Sequence, residues 1–215
     1  MSNTPSDRFR ARILEVFPAH AARGGWTDAA FKAAVAEAGL SEGEALLACP
    51  KGVFDLFDAF AARADAAMLE RLDELNLAAM KVRQRVRAAV QVRLEAQQPY
   101  KAAARAMTRA LARPDRAPEA ARLLWRTADH IWRALGDTST DGNFYSKRAI
   151  LSGVLASTYT RWFSDESEDN EPTWAFLDAR IENVMQFEKF KARLKPISEG
   201  VESAIGVAAR FRYGR

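Results

Sequence analysis

The chain is predicted to be all-α, and three observations carry that. Apolar residues recur at i, i+3, i+4 and i+7 in segment after segment, which places them on one face of a helix. Alanine is abundant while glycine is held to 11 and proline to 8 of 215 residues, a composition that favours helix interiors. No run alternates apolar and polar residues long enough to make a half-buried strand. Hydrophobic residues make up 48% of the chain, enough for a substantial core in one domain or one domain with a small appendage.

The elements follow in order. Phe9, Ile13, Leu14 and Phe17 form the stripe of a first helix from Ser6 to Phe17, which Pro18 and Gly24-Gly25 are expected to end. Thr27 caps a second helix to about Ala38, and Gly39 follows it as a C′ glycine. Ser41 caps a short third helix that stops before Pro50. A fourth starts after Gly52 with Val53, Phe54, Leu56, Phe57 and Phe60. From Ala64 to about Gln97 the apolar spacing predicts one long helix, through Met68, Leu72, Met80, Val86, Val90 and Leu94. Pro99 interrupts it, and a shorter helix runs to Leu111. Pro118 opens the next at N1, with Leu123, Leu124, Thr127, Ile131 and Leu135 on one face and Gly136 at its end. Asp141 or Thr140 caps a helix to about Phe163. An acidic loop from Asp165 to Glu171 then leads to a helix beginning at Pro172, with Trp174, Leu177, Ile181 and Val184 in phase.

Several function classes lack their residues. One cysteine rules out an internal disulfide, and two histidines far from it give no metal-ligand spacing, so no metal or other cofactor is expected. There is no nucleophile elbow and no glycine-rich phosphate loop, so no catalytic residue is assigned. His130 reads as a half-buried helix histidine, His20 as a solvated loop residue and Cys49 as a small buried side chain. No apolar run approaches the ~20 residues needed to span a membrane. The polar N-terminal run from Met1 to Phe9 shows neither a signal peptide nor a transit-peptide pattern.

The first fifty residues, including Ala33-Ala34-Val35-Ala36-Glu37-Ala38-Gly39-Leu40-Ser41, resemble the DNA-binding head of TetR-type regulators. In such a head the third helix enters the major groove and needs donors and cations for phosphates and base edges. Here it reads Ser41-Glu42-Gly43-Glu44-Ala45-Leu46-Leu47-Ala48-Cys49, with two carboxylates and no cation. Residues 1–70 hold 7 Lys+Arg against 10 Asp+Glu, so the whole head repels the polyanion it would have to bind. Nucleic acid is not an expected partner; a TetR-type ligand-responsive transcriptional regulator stands as the alternative reading. Residues 71–126, with 13 Lys+Arg against 5 Asp+Glu, are the basic part of the chain.

Most informative is the over-furnished connector Gly136-Asp137-Thr138-Ser139-Thr140-Asp141-Gly142-Asn143-Phe144-Tyr145-Ser146-Lys147-Arg148, which carries more capping groups than a turn needs, then an aromatic pair and two cations. Together with Thr127-Ala128-Asp129-His130-Ile131-Trp132 and Thr173-Trp174-Ala175-Phe176-Leu177-Asp178-Ala179-Arg180-Ile181, it resembles the coenzyme Q (ubiquinone) biosynthesis family called Coq nine. The resemblance implies a TetR-like helical bundle that is a non-enzymatic accessory factor and binds lipid, usually as a homodimer. It implies an isoprenoid quinone or other lipid in an apolar pocket, for which Leu123, Leu124, Ile131, Leu151, Val154, Leu155, Trp162 and Leu177 are the candidate lining residues. It implies docking of the demethoxyubiquinone hydroxylase on Asp141, Asn143, Phe144, Tyr145 and Arg148. The family commonly has Trp where this chain has Phe144, which keeps the apolar plug and drops an indole N–H.

The same resemblance implies peripheral membrane attachment through a C-terminal amphipathic helix. Ile197, Val201, Ile205, Ala208 and Phe211 supply its stripe, and Arg210, Arg212 and Arg215 flank its end. The expected organisation is therefore a head over 1–62, a helical lipid-binding and dimerisation domain over 63–195, and a membrane-binding helix over 196–215. With no transit-peptide pattern, the expected location is a bacterial cytoplasm, peripherally on the inner membrane.

Overall fold

The computed structural model describes residues 4–186. They form α1 (Pro5–Gly24), α2 (Asp28–Glu37), α3 (Glu42–Ala48), α4 (Val53–Asp73), α5 (Val82–Gln97), α6 (Lys101–Leu111), α7 (Ala117–Ala134) and α8 (Gly142–Ser164). A further helix, α9, covers residues 171–186, and no strand occurs among the described residues. The expected tail residues Ile197, Val201, Ile205, Ala208 and Phe211 lie outside the described residues.

Local signals set most boundaries. Thr27 Oγ1 accepts from Ala30 N at 3.2 Å, and Ser41 and Glu44 form a reciprocal capping box at the start of α3. Pro118 lies in the first turn of α7, and Gly136 takes the φ of +80° that ends that helix. Asp141 caps α8 by accepting from Asn143 N at 3.0 Å.

Two expectations about helix boundaries are corrected. First, Pro18 does not end α1; it sits inside the helix. A proline there strips the carbonyl four residues earlier of its donor. That carbonyl, Leu14 O, instead accepts from Arg63 Nη1 on α4 at 3.1 Å. His20 is accordingly helical, and its Nε2 meets Glu37 at 2.6 Å. Second, the single helix expected from Ala64 to Gln97 is two helices. α4 runs unbroken from Val53 to Asp73, and a 3₁₀ turn at Leu77–Ala79 folds the chain back so that α5 packs against α4. A 34-residue helix would reach about 51 Å and leave both apolar stripes bare. The acidic loop is anchored at its first residue. Asp165 is buried and accepts from Ser167 N at 3.1 Å and from Thr173 N at 2.9 Å. Burial alone would raise its carboxyl, but hydrogen bonds from Ser167 and Thr173 prevail and lower it to about 2.

The expected boundary at 62/63 falls within α4, and a single apolar cluster joins the head to the helices that follow. Its hub is Trp26. The indole stacks on Phe57 at 4.7 Å, meets Phe17 edge-on at 4.8 Å, and donates Nε1–H to Ala103 O on α6 at 2.9 Å. The ring thereby buries its apolar body without stranding its polar atom.

Candidate functional site

Helices α4 to α8 leave an apolar cavity of about 250 Å³ between them. Phe60 and Ala61 come from α4, Met107 and Leu111 from α6, Leu123 and Leu124 from α7, and Tyr159 from α8. Its floor is polar. Asp65 lies on the buried stripe of α4 between Ala61 and Met68, and Arg93 lies on the stripe of α5 with Val86, Val90 and Gln97. Their side chains are 2% and 4% exposed.

A lone charge at that depth costs several kcal/mol, so the pair must be closely partnered. Arg93 Nε donates to Asp65 Oδ1 at 2.7 Å, Nη2 to Thr127 Oγ1 at 3.2 Å and Nη1 to Gln97 Oε1 at 3.1 Å. Nη1 also donates to the Tyr159 hydroxyl. The other oxygen of Asp65 meets His130 Nδ1 at 3.0 Å. Burial would raise the Asp65 carboxyl, but the Arg93 charge and the hydrogen bonds from His130 and Thr127 hold it below its ordinary value. Burial likewise pushes the Tyr159 hydroxyl up, against the pull of Arg93.

A second hollow of about 250 Å³ lies between α5, α7, α8 and α9, walled by Val86, Trp132, Leu151, Val154 and Ile181. Asn143, Ser146 and Lys147 border it and tie it to the furnished turn.

Beneath the turn lies another ion-pair network. Arg148 is 1% exposed; its Nε donates to Asp129 Oδ1 at 2.7 Å and its Nη1 to Asp137 Oδ2 at 3.1 Å. Nη1 also donates to Phe144 O at 3.1 Å, and the guanidinium lies 3.5 Å from the Phe144 ring centroid. Lys147 Nζ reaches Asp137 Oδ1 at 2.6 Å, and Asp129 also pairs with Arg133 at 2.7 Å. Burial opposes ionisation of Asp137, but hydrogen bonds from Lys147, Ser139 and Arg148 hold its carboxyl well below the usual carboxylate range.

The structure sorts the sequence candidates. Tyr145 stands 64% exposed, 5.2 Å from the Phe144 ring and 6.2 Å from Trp125. Asp141 and Asn143 are exposed and Phe144 is half-buried. Arg148 is corrected from a surface contact to a buried clamp, because two carboxylates draw it under the turn. Among the lining candidates, Leu123 and Leu124 face the cavity, while Leu151 and Val154 face the second hollow. Ile131, Leu155, Trp162 and Leu177 are wholly buried and line neither; they are core.

Sequence reasoning missed Asp65, Arg93, Gln97 and Tyr159 as one constellation, although charges on apolar stripes were the available signal. It also missed Trp125, whose ring completes the aromatic patch beside the turn. Cys49 is buried as expected, and burial pushes its thiol up to about 11. No group of three or more metal-ligating side chains occurs among the described residues.

The model of the COQ9 family matches residues 117–188, which contain α7, the turn, α8 and α9. "Ubiquinone biosynthesis protein COQ9, mitochondrial" of Rattus norvegicus is 30% identical over 213 residues, covering 95% of this chain and 67% of the rat protein. The chain belongs to the COQ9 family. The human protein of the same name is 29% identical over 213 residues, covering 95% of this chain and 65% of its own length. The chain thus spans about two thirds of these relatives.

A crystal structure of the TetR transcriptional regulator from Nitrosomonas europaea ATCC 19718 superposes with a TM-score of 0.66 at 21% identity. It covers 82% of this chain and 97% of the regulator, and establishes the TetR-like all-α fold. One expectation is overturned: the named COQ9 relatives are mitochondrial proteins of eukaryotes, which contradicts a bacterial cytoplasmic location at the inner membrane. The N-terminal residue pattern did not determine the compartment.

Proposed function

We propose that this COQ9-family protein is a non-enzymatic accessory factor of ubiquinone biosynthesis that binds an isoprenoid quinone intermediate and presents it to the demethoxyubiquinone hydroxylase. The observation that carries the reading is the apolar cavity between α4 and α8. A prenylated quinone cannot leave a bilayer cheaply unless protein covers its apolar surface, at about 25 cal/mol per Å². No helix among the described residues is long and apolar enough to cross a membrane, so the proposed attachment is peripheral, through the segment 196–215.

The exposed ring of Tyr145, with Phe144 and Trp125 beside it, supports the turn as the docking face for the hydroxylase. A homodimer is part of the proposal. The regulator alternative draws only on the shared fold. Its reading helix begins with Glu42 and Glu44 and exposes Leu46 and Leu47, which offers DNA no cation.

Native mass spectrometry of the purified protein tests the reading. A co-purified lipid whose fragments contain a prenyl chain is the expected result. Lipid-free protein that also fails to take up an added prenylated quinone sinks it. Tight, salt-sensitive binding of duplex DNA would favour the regulator instead.

A further inference from the structure

We propose that the hollow between α5, α7, α8 and α9 is the resting seat of this chain's own segment 197–208, which docks there in cis and leaves it for the membrane. The docking stands on the hollow and the sequence; the exchange with the membrane rests on the peripheral attachment proposed above.

The hollow is apolar and only partly covered. Val86, Leu151 and Val154 are buried among its lining residues, while Val82 and Met185 stand 55% and 38% exposed. Apolar surface left in water around a concavity marks a place where something binds. About 250 Å³ admits side chains but not a helix, which is about 10 Å across. An occupying helix therefore lies over the rim and sends one stripe of side chains inward.

The chain supplies such a stripe close by. Ile181, Val184 and Met185, at the end of α9, line the hollow, and the described residues stop at 186. In the sequence beyond, Ile197, Val201, Ile205 and Ala208 recur at helical spacing. The ten residues 187–196 reach at most about 33–36 Å, enough to return Ile197 to a hollow that α9 itself walls. A tether this short holds the segment at about millimolar effective concentration, so it outcompetes a second copy or a free partner in dilute solution.

Charge agrees. Arg83 and Lys147 are the charged residues among the hollow's lining. Lys147 Nζ is held by Asp137 at 2.6 Å, whereas the exposed Arg83 has no partner among the described residues. Glu202 follows Val201 and falls on the flank of the stripe, where a cation on the rim can meet it. Arg210, Arg212 and Arg215 come only after the stripe ends. The first half of the segment thus suits a cationic rim, and its end suits anionic headgroups.

Asn143, Ser146 and Lys147 belong both to the hollow and to the turn. A seated segment borders the face proposed for the hydroxylase, and membrane contact that draws the stripe away uncovers it.

The test places Val82→Cys and Ser198→Cys in the full chain and joins them with a short bismaleimide in dilute solution. Native Cys49 is buried and does not compete. The control pair is Lys32→Cys with Ser198→Cys, because α2 contributes nothing to the hollow. The intramolecular product, identified by peptide mass spectrometry, is expected at several times the control yield and independent of protein concentration. Arg83→Glu should lower it about two- to fivefold, the worth of an exposed ion pair, and adding Glu202→Arg should restore it. Anionic phospholipid vesicles that sediment the protein should lower it towards the control.

A yield no greater than the control overturns the seat. Products formed only between molecules assign the hollow to a second copy instead. Indifference to Arg83→Glu overturns the pairing with Glu202, and an undiminished yield on vesicle-bound protein overturns the exchange. Failure of the full chain to sediment with vesicles strikes the membrane attachment, and the exchange with it, while a high yield in solution still upholds the seat.

Discussion

Two buried ion-pair networks lie in this protein, and they are wired differently. Under the cavity, one carboxylate serves several donors: Asp65 faces Arg93, Thr127 and His130, and no other carboxylate pairs with Arg93 among the described residues. Under the turn, carboxylates and cations alternate in a chain, Arg133–Asp129–Arg148–Asp137–Lys147. The first is a hub with a single point of failure. The second is redundant, since each inner member keeps a partner when one is removed. The hub lies at the floor of the apolar cavity, and the chain lies beneath the turn between α7 and α8.

Removing the hub should have the largest effect. Asp65→Ala strands a fully buried guanidinium, and a loss of about 3–5 kcal/mol in urea unfolding is expected. A loss under 1 kcal/mol would show that water or His130 reorganisation replaces the carboxylate. The corresponding cut in the chain, Asp137→Ala, leaves Arg148 on Asp129, and should cost about 1–3 kcal/mol. If Asp137→Ala proves the costlier of the two, the distinction between hub and chain fails.

Acid sharpens the same contrast. A carboxylate whose folded pKa is depressed contributes stability that is present above its unfolded value, near 3.9, and is lost as the pH falls through the folded value. Asp65, Asp137 and Asp165 are all depressed, Asp165 to about 2. Stability from these groups should therefore hold from pH 7 to about pH 4 and fall below it. Carboxyl carbon shifts measured by NMR should show Asp137 still ionised at pH 3; a midpoint near 4 would mean that its hydrogen bonds to Lys147 and Arg148 do not persist in solution.

The smallest effect on folding should accompany the largest proposed effect on partnership. Tyr145→Ala, at an exposed ring, should change stability by no more than about 0.5 kcal/mol and abolish capture of the hydroxylase in a pull-down. Full retention would remove the turn from the docking proposal. Phe144 is less suited to this test, because its ring lies against the Arg148 guanidinium and substitution there disturbs the clamp as well.

Much of the fold was legible because its signals are local. Thr27, Ser41, Pro118, Gly136 and Asp141 each act on backbone groups within a few residues, and each does so where expected. Pro18 misled because the donor that rescues Leu14 O is Arg63, 49 positions away. The fold-back between α4 and α5 misled because its connecting turn carries no glycine or proline and the apolar spacing continues in phase through it. The site was less legible still. Leu123, Leu124 and Ile131 share one helical stripe, yet the first two face a cavity and the third is solid core. Periodicity reports which face is apolar, and only the neighbouring helices decide whether that face meets side chains or space.

By itself the sequence determined the helical class, most of the caps, the acid at the start of α3 and the family to which the turn belongs. All of these are encoded within a helical turn or in a contiguous motif. The tertiary structure alone decided that Arg148 clamps rather than contacts, that Asp165 anchors the acidic loop, and that Asp65, Arg93, Gln97 and Tyr159 meet beneath a cavity. These last four residues come from α4, α5 and α8, and Arg93 and Tyr159 are 66 positions apart. Burial makes their chemistry consequential, because in a low-dielectric interior each polar atom must find a partner, and which partner it finds is set by packing between distant helices.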